Sequence, residues 1–320
     1  MKTDGLLKGL DYPVPEYSMR IGYMLGGIAL FLFIILTVSG CVLAWFGYLP
    51  TPEAAYRSME AITASETLSG IRAAHAIIAD VFIALLLLHV ARIVATRSYH
   101  GERRKTWNVG ILLLAVTSVF YFSGTVLKWD QEGYEAFSHL EWLLGGASET
   151  VFAGSVPMKM LVLHMAIAPV LLVVLLVAHL LLVKGLGISP LAPGAVEGGK
   201  SVSFLRHMRY VAAYALITIG LIKLAAAFYT PPLLCTPMMD VEWTKPPWPF
   251  LFLYPLESYG GMWTLWAVPM VVGAALFAIP SLVRSEKRRD LSQTVFLAGV
   301  ALWAVLTLLG AWIPPANHMH

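Results

Sequence analysis

Apolar residues gather in seven long blocks, near 21–46, 71–95, 107–127, 158–183, 209–229, 262–283 and 292–313, with shorter polar stretches between them. Each block is long enough for a helix to cross a hydrocarbon core, which takes about 20 residues. Lipid offers no water to unpaired backbone groups, so each block is predicted to be a helix. The predicted fold class is an all-α integral membrane protein with seven transmembrane helices. A Gly/Pro-rich stretch, GLGISPLAPGAVEGGK from Gly185 to Lys200, reads as a boundary. It divides the chain into a four-helix module (1–184), an inner linker (185–208) and a three-helix module (209–320). The last module carries a Pro-rich outer loop over 230–260, in which Trp248 to Leu256 is apolar but too short to span. That piece is predicted to lie at the interface or to re-enter. The first 20 residues show no apolar h-region, so no cleavable signal peptide is read there.

Composition agrees: 58% of the chain is hydrophobic and 13% charged, against about 25% charged in a soluble domain. Charge placement sets the orientation. With the N-terminus inside, segments 1–20, 92–106, 184–209 and 284–290 hold 16 Lys and Arg against 7 acids. The outer segments 47–72, 128–159 and 230–262 hold 5 against 11. The positive-inside rule therefore predicts a cytoplasmic N-terminus, in a prokaryotic inner membrane. A net charge of +3 gives no footprint for nucleic acid. The two cysteines, Cys41 and Cys235, form no CxxC or CxxCH pattern, which excludes iron–sulfur ligation and covalent haem within the chain. They read as separate packing cysteines, with a disulfide on the outer side as the alternative.

Four histidines lie inside predicted spans: His75 and His89 on the second, His164 and His179 on the fourth. Ionisable residues there are rare and usually functional. Spacings of fourteen and fifteen are close to four turns, so each pair shares roughly one face, separated by about 21–22 Å along the axis. Both helices run from outside to inside. His75 therefore meets His164 near the outer leaflet, and His89 meets His179 near the inner one. Two stacked pairs of imidazoles fit two six-coordinate haem irons, which makes the first module a four-helix di-haem bundle. Zinc or a di-metal carboxylate centre would want Cys, Asp or Glu at helical spacing beside them. Only Asp80 is near, five residues from His75 and on another face.

Glycines repeat the same spacing. Gly26 and Gly40 on the first helix are fourteen apart, as are Gly110 and Gly124 on the third. Helical Gly costs roughly 0.5–1 kcal/mol relative to Ala, so matched Gly at histidine depth suggests a flat object against the backbone. Small-residue helix packing is the plainer reading; the matching depths favour haem faces. Arg72 and Arg92 stand three residues outside His75 and His89, where guanidinium can pair with propionates or simply snorkel. Asp80 and Lys223, also within spans, are expected to face protein or water.

These residues resemble the cytochrome b family of respiratory and photosynthetic quinol oxidases. The resemblance runs from about Tyr23 to Trp312. It rests on YMLGGIAL (23–30), GIRAAH (70–75), LHVAR (88–92), TWNVG (106–110), WDQEGY (129–134) and the His164/Pro169/His179 pattern. The histidine spacing and GISP at 187–190 look most like the chloroplast-type cytochrome b, here fused to its three-helix subunit. The resemblance implies two haems b on the four histidines, contacted by the matched arginines and glycines, with Lys184 where that branch has an inner-haem arginine. It also implies a homodimer and Tyr254 as an aromatic near an outer quinol site. Two positions depart from the pattern. The cysteine for an extra inner haem would fall at Met24. The outer-site Pro-Glu-Trp-Tyr is Pro246-Pro247-Trp248-Pro249, which lacks the carboxylate that takes a quinol proton. Asp130, Glu132, Glu242 and Glu257 are nearby acids; Glu257 and Asp130 are the chosen candidates for that role.

The leading functional reading is a di-haem membrane subunit of a quinol/quinone oxidoreductase. It would work with membrane quinone as substrate and a Rieske-type or multihaem c-type cytochrome partner on the acidic outer side. The alternative is a transmembrane electron conduit without an outer quinol site, passing electrons between such a partner and an inner quinone site. A transporter would show broken helices in repeats, and none is read here.

Overall fold

The structure is a computed structural model that describes residues 11–191, 199–239, 241–282 and 291–315. Its main elements in chain order are α1 (Leu25–Phe46), α2 (Ala55–Ala64), α3 (Leu68–Ala95), α4 (Arg104–Leu127), α5 (Gln131–Leu144), α6 (Ala147–Val151) and α7 (Val156–Val162). A π turn (Leu163–Ile167) leads into α8 (Ala168–Leu186), followed by α9 (Phe204–Phe228), α10 (Leu253–Gly260), α11 (Thr264–Ala278) and α12 (Leu291–Trp312). Seven helical segments among the described residues are long and apolar enough to cross a membrane: Leu25–Phe46, Leu68–Ala95, Gly101–Leu127, Val156–Leu186, Phe204–Phe228, Thr264–Leu282 and Leu291–Trp312. They coincide with the seven predicted blocks. Large apolar side chains such as Val38, Leu88, Val170, Leu216, Val271 and Leu302 stand exposed on them. A water-soluble monomer does not carry apolar surface on that scale; lipid covers it. The protein is an all-α integral membrane protein.

Contacts group the chain into two compact units. One comprises 1–43, 66–107 and 177–231; the other comprises 44–65, 108–176 and 232–320. In the first unit Ala29 and Leu32 of α1, Ile78 and Phe82 of α3 and Ile222 of α9 form one buried cluster. Met24, Ile28, Val211 and Ala215 form another. A Cβ at Gly27 would lie 2.7 Å from Val211 Cγ1, so glycine lets α1 and α9 approach closely.

The first unit also holds a feature absent from the sequence reading. Strands β1 (Pro13–Pro15) and β2 (Ser201–Ser203) pair antiparallel, with Val14 opposite Val202. Tyr12 stacks on Phe204 at 4.7 Å. This pins the far end of the linker, whose middle, 192–198, lies outside the described residues, as does the basic cluster Lys287–Arg289. Cys41 and Cys235 are both free and both exposed, so neither the disulfide nor the packing expectation holds. Asp80 is half-buried, whereas Lys223 is exposed, with no described part of the chain covering it.

In the second unit the segments between the spans are built around α5. Asp130 caps its N-terminus, accepting from Gly133 N at 3.0 Å. Gly133 admits the end of α4, because a Cβ there would lie 2.7 Å from the Thr125 carbonyl oxygen. The apolar stretch at 248–256 is a turn leading into α10, which packs against α11 and α12. Gly310 of α12 receives the Leu251 carbonyl, where a Cβ would come within 2.4 Å.

Candidate functional site

His75 and His89 lie on α3. His164 lies in the π turn and His179 on α8. The π turn explains the unequal spacings. It inserts one extra residue into a helix, so fifteen residues through it sweep about the angle of fourteen regular ones, leaving each pair about 40° apart on its face. Pro169 supplies the local cause: it lacks the N–H that would bond the Met165 carbonyl, and a widened turn relieves the clash.

Two serines, which sequence reasoning missed, set the ring orientation of His75 and His164. Ser39 Oγ donates to the carbonyl of Ile35 at 2.8 Å, with Leu36 at 3.1 Å, and lies 2.9 Å from His75 Nδ1. Its one proton is spent within α1, so it accepts from Nδ1–H. Ser123 repeats this in α4: Oγ donates to the Phe120 carbonyl at 3.0 Å and sits 3.0 Å from His164 Nδ1, which is also 3.1 Å from that carbonyl. A proton held at Nδ1 leaves the Nε2 lone pair as the ligand electron pair. This is the neutral tautomer that a haem iron requires, so these residues fit such a group. The signal in the sequence was a repeated Ser-Gly, Ser39-Gly40 and Ser123-Gly124. Losing such an outer partner typically costs 10–100-fold in metal affinity. Were a haem iron held on His75 or on His164, Ser39→Ala or Ser123→Ala would weaken its retention by roughly that factor, as read by haem content after detergent washing.

The glycines meet the histidines directly. A Cβ on Gly40 would lie 3.2 Å from His75 Cε1, one on Gly26 3.2 Å from His89 Cε1, and one on Gly124 3.1 Å from His164 Cε1. Among the chain's own atoms, the flat group against these three backbones is the imidazole. Gly110 is half-buried in α4. Within the first unit, His89 and His179 lie within electrostatic reach of each other, and His89 Nδ1 is buried without a hydrogen-bond partner. Arg92 donates to the Gly22 carbonyl at 3.0 Å and to Ser189 Oγ at 2.5 Å, and stacks 4.0 Å over Tyr23. Arg72 is buried and donates to the Pro231 carbonyl. Both arginines therefore tie chain segments together. Lys184 is exposed in the last turn of α8.

The outer acids are sorted by the second unit. Asp130 is fully buried, with Oδ1 accepting from Gly133 N and Oδ2 from Leu234 N, both at 3.0 Å; Lys128 Nζ is 3.4 Å away. That is the geometry of a structural clamp, which runs against its candidacy as proton acceptor. Gln131, Glu135 and His139 follow at i, i+4 and i+8, so they share one face of α5. Gln131 holds Met238 N (2.6 Å) and the Val241 carbonyl (2.7 Å). Glu135 accepts from Trp243 N and Thr244 N, each at 3.0 Å, and from the Thr244 hydroxyl. Glu135→Ala strands these donors and is expected to cost about 3 kcal/mol, seen as a lower unfolding temperature and faster cleavage within 234–244.

His139 completes the stripe. Its Nε2 is 3.1 Å from Glu242 Oε1 and 3.0 Å from Glu257 Oε1, and both acids are buried. Burial alone would lower the imidazole pKa. The Glu242 and Glu257 carboxylates, which accept from the protonated ring and attract its charge, outweigh it and raise the pKa from 6.5 to about 10. A raised folded-state pKa stabilises fully below 6.5, and that contribution is lost as pH rises through about 10. Protease sensitivity of 234–244 should accordingly increase between pH 6.5 and 10 in the natural protein and stay flat in His139→Gln. Tyr254 is buried, donates to the Pro314 carbonyl at 3.1 Å, and has Lys245 Nζ 5.8 Å over its ring.

A polytopic helical membrane protein whose spans carry imidazoles held at Nδ1 has the features of the membrane-embedded haem proteins. Comparison makes this specific. The family model described as Cytochrome b/b6/petB matches residues 10–187, and the chain belongs to that family. Cytochrome b6 of Heliobacterium mobile is 32% identical over 194 residues, covering 56% of this chain and 90% of the relative. Cytochrome b6 of Acaryochloris marina is 31% identical over 192 residues, covering 55% and 87%. A solved chain described as "Hyperthermophilic respiratory Complex III" matches 98% of this chain and 90% of its own length, with a TM-score of 0.79 and 22% identity. The fold is therefore shared through the C-terminal helices, beyond the span of the family match.

Proposed function

We propose that this chain is the di-haem subunit of a quinol/quinone oxidoreductase. In this reading His75 and His164 hold an outer haem, His89 and His179 an inner one, and the N-terminus is cytoplasmic. The observation that supports it is the serine-held Nδ1 of His75 and of His164, which leaves the lone pair of each ring on Nε2, where it could bind an iron. Haems held there would supply one-electron carriers. The protein's residues do the rest: Arg72 and Arg92 fix the helix ends, and Glu257 takes the proton of an outer quinol. The acidic outer segments suit a Rieske-type or multihaem c-type cytochrome as electron partner. A redox-titrated optical spectrum of the purified protein, with a decyl-substituted quinol added, tests this. Two b-type components reducible by quinol are expected; absence of protoporphyrin overturns it.

A second reading is favoured by one observation, the loss of the family's carboxylate at Pro246-Pro247-Trp248-Pro249. There the chain conducts electrons between the outer partner and an inner quinone site, with no outer quinol chemistry. Outer-haem reduction by quinol that depends on the inner site alone would select it.

A further inference from the structure

Taking Glu257 as the acceptor of a quinol proton, a reading on which the following rests, we infer that His139 relays that proton from Glu257 to Glu242. The three ligand-type atoms, His139 Nε2 and one oxygen of each acid, lie within 4.8 Å of one another. The two carboxyl side chains are 2% and 3% exposed, against 20% for His139. Two carboxylates this close and this dry repel each other unless a proton or cation lies between them, and the imidazole provides it. Glu257 comes from α10, whereas Glu242 comes from the segment clamped by α5. His139 Nε2 thus stands between the two acids, at 3.1 Å from one and 3.0 Å from the other.

That single nitrogen dictates the step. Oxidation of one quinol releases two electrons and two protons. The electrons would leave one at a time, to a one-electron iron acceptor on the outer side and to a haem held by the chain when bound. One proton bonds to Glu257, and the other is released to the outer aqueous phase. The Nε2–H proton moves to Glu242 Oε1, to which it is already hydrogen-bonded at 3.1 Å. The freed Nε2 lone pair then takes the proton from Glu257 across 3.0 Å. Glu257 is again a carboxylate, His139 is unchanged, and Glu242 carries the proton. Its neighbours Val241 and Trp243 are exposed, which gives it a way out to the outer phase. A merely structural ion pair is redundant here, since Gln131 and Glu135 already hold the same segment through main-chain hydrogen bonds.

The test is steady-state oxidation of a decyl-substituted quinol by the intact complex, from pH 6 to 10, with haem content and spectra recorded for every variant. His139→Gln keeps a donor and the side-chain bulk but cannot titrate. It is expected to lower kcat by about 10²-fold with KM held and to flatten the pH profile. Glu242→Gln should do the same, and added imidazole should restore turnover in His139→Ala. If His139→Gln turns over normally while Glu257→Gln is impaired, the relay is wrong and the acceptor stands. Normal turnover in both removes the acceptor as well. Impairment of His139→Gln with an unchanged pH profile and no imidazole rescue makes the residue structural and overturns the relay. A normal Glu242→Gln overturns its role as recipient.

Discussion

Purified His89→Leu and His179→Leu proteins should each carry one haem b per polypeptide and the natural protein two, and both variants should lose the same component of the spectrum. A leucine offers the iron no lone pair, and a haem held on one side only is shed on purification. The outer haem should remain, because Ser39 and Ser123 orient its ligands independently of α3's inner end. His75→Leu and His164→Leu should remove the other component in the same way. Pyridine haemochrome measures the ratio, and no covalent haem should appear, since the chain has no CxxCH. The pairing is wrong if His89→Leu and His179→Leu delete different components. The π turn is what makes the pairing compatible with spacings of fourteen and fifteen.

Replacing Glu257 by Gln should lower quinol oxidation by 10²-fold or more, within the usual 10²–10⁴ range for loss of a general base. Gln preserves shape and can still accept a hydrogen bond, so haem content and fold should hold. Asp130→Asn differs in kind: both oxygens of Asp130 serve main-chain donors, so its loss should appear as reduced stability of the α5 start, not as a changed pH profile. Quinol oxidation unaltered in Glu257→Gln would leave the conduit reading as the better account.

The unequal histidine spacing shows where sequence reasoning stops. Fourteen and fifteen looked nearly equivalent on an ideal helix, and only the structure shows that the fifteenth residue is absorbed in a π turn before Pro169. Likewise Ser39 and Ser123 were visible beside the matched glycines. A serine in a membrane helix usually bonds its own backbone, and nothing local says that it also holds an imidazole from another helix.

The sequence by itself determined the membrane class and the seven spans, and singled out the four histidines as candidate iron ligands. These follow from run length and helical period, which are properties of neighbours along the chain. The tertiary structure alone decided which of these acids clamps main-chain donors and which sits against His139. Asp130, Glu135, Glu242 and Glu257 are similar as letters. Their roles diverge because the polar face of α5 folds onto 234–244, consuming Asp130 and Glu135 in main-chain hydrogen bonds, and brings Glu242 and Glu257, fifteen residues apart, to one nitrogen of His139. Contacts between residues so far apart in sequence carry no periodic signature, so only their convergence in space reveals them.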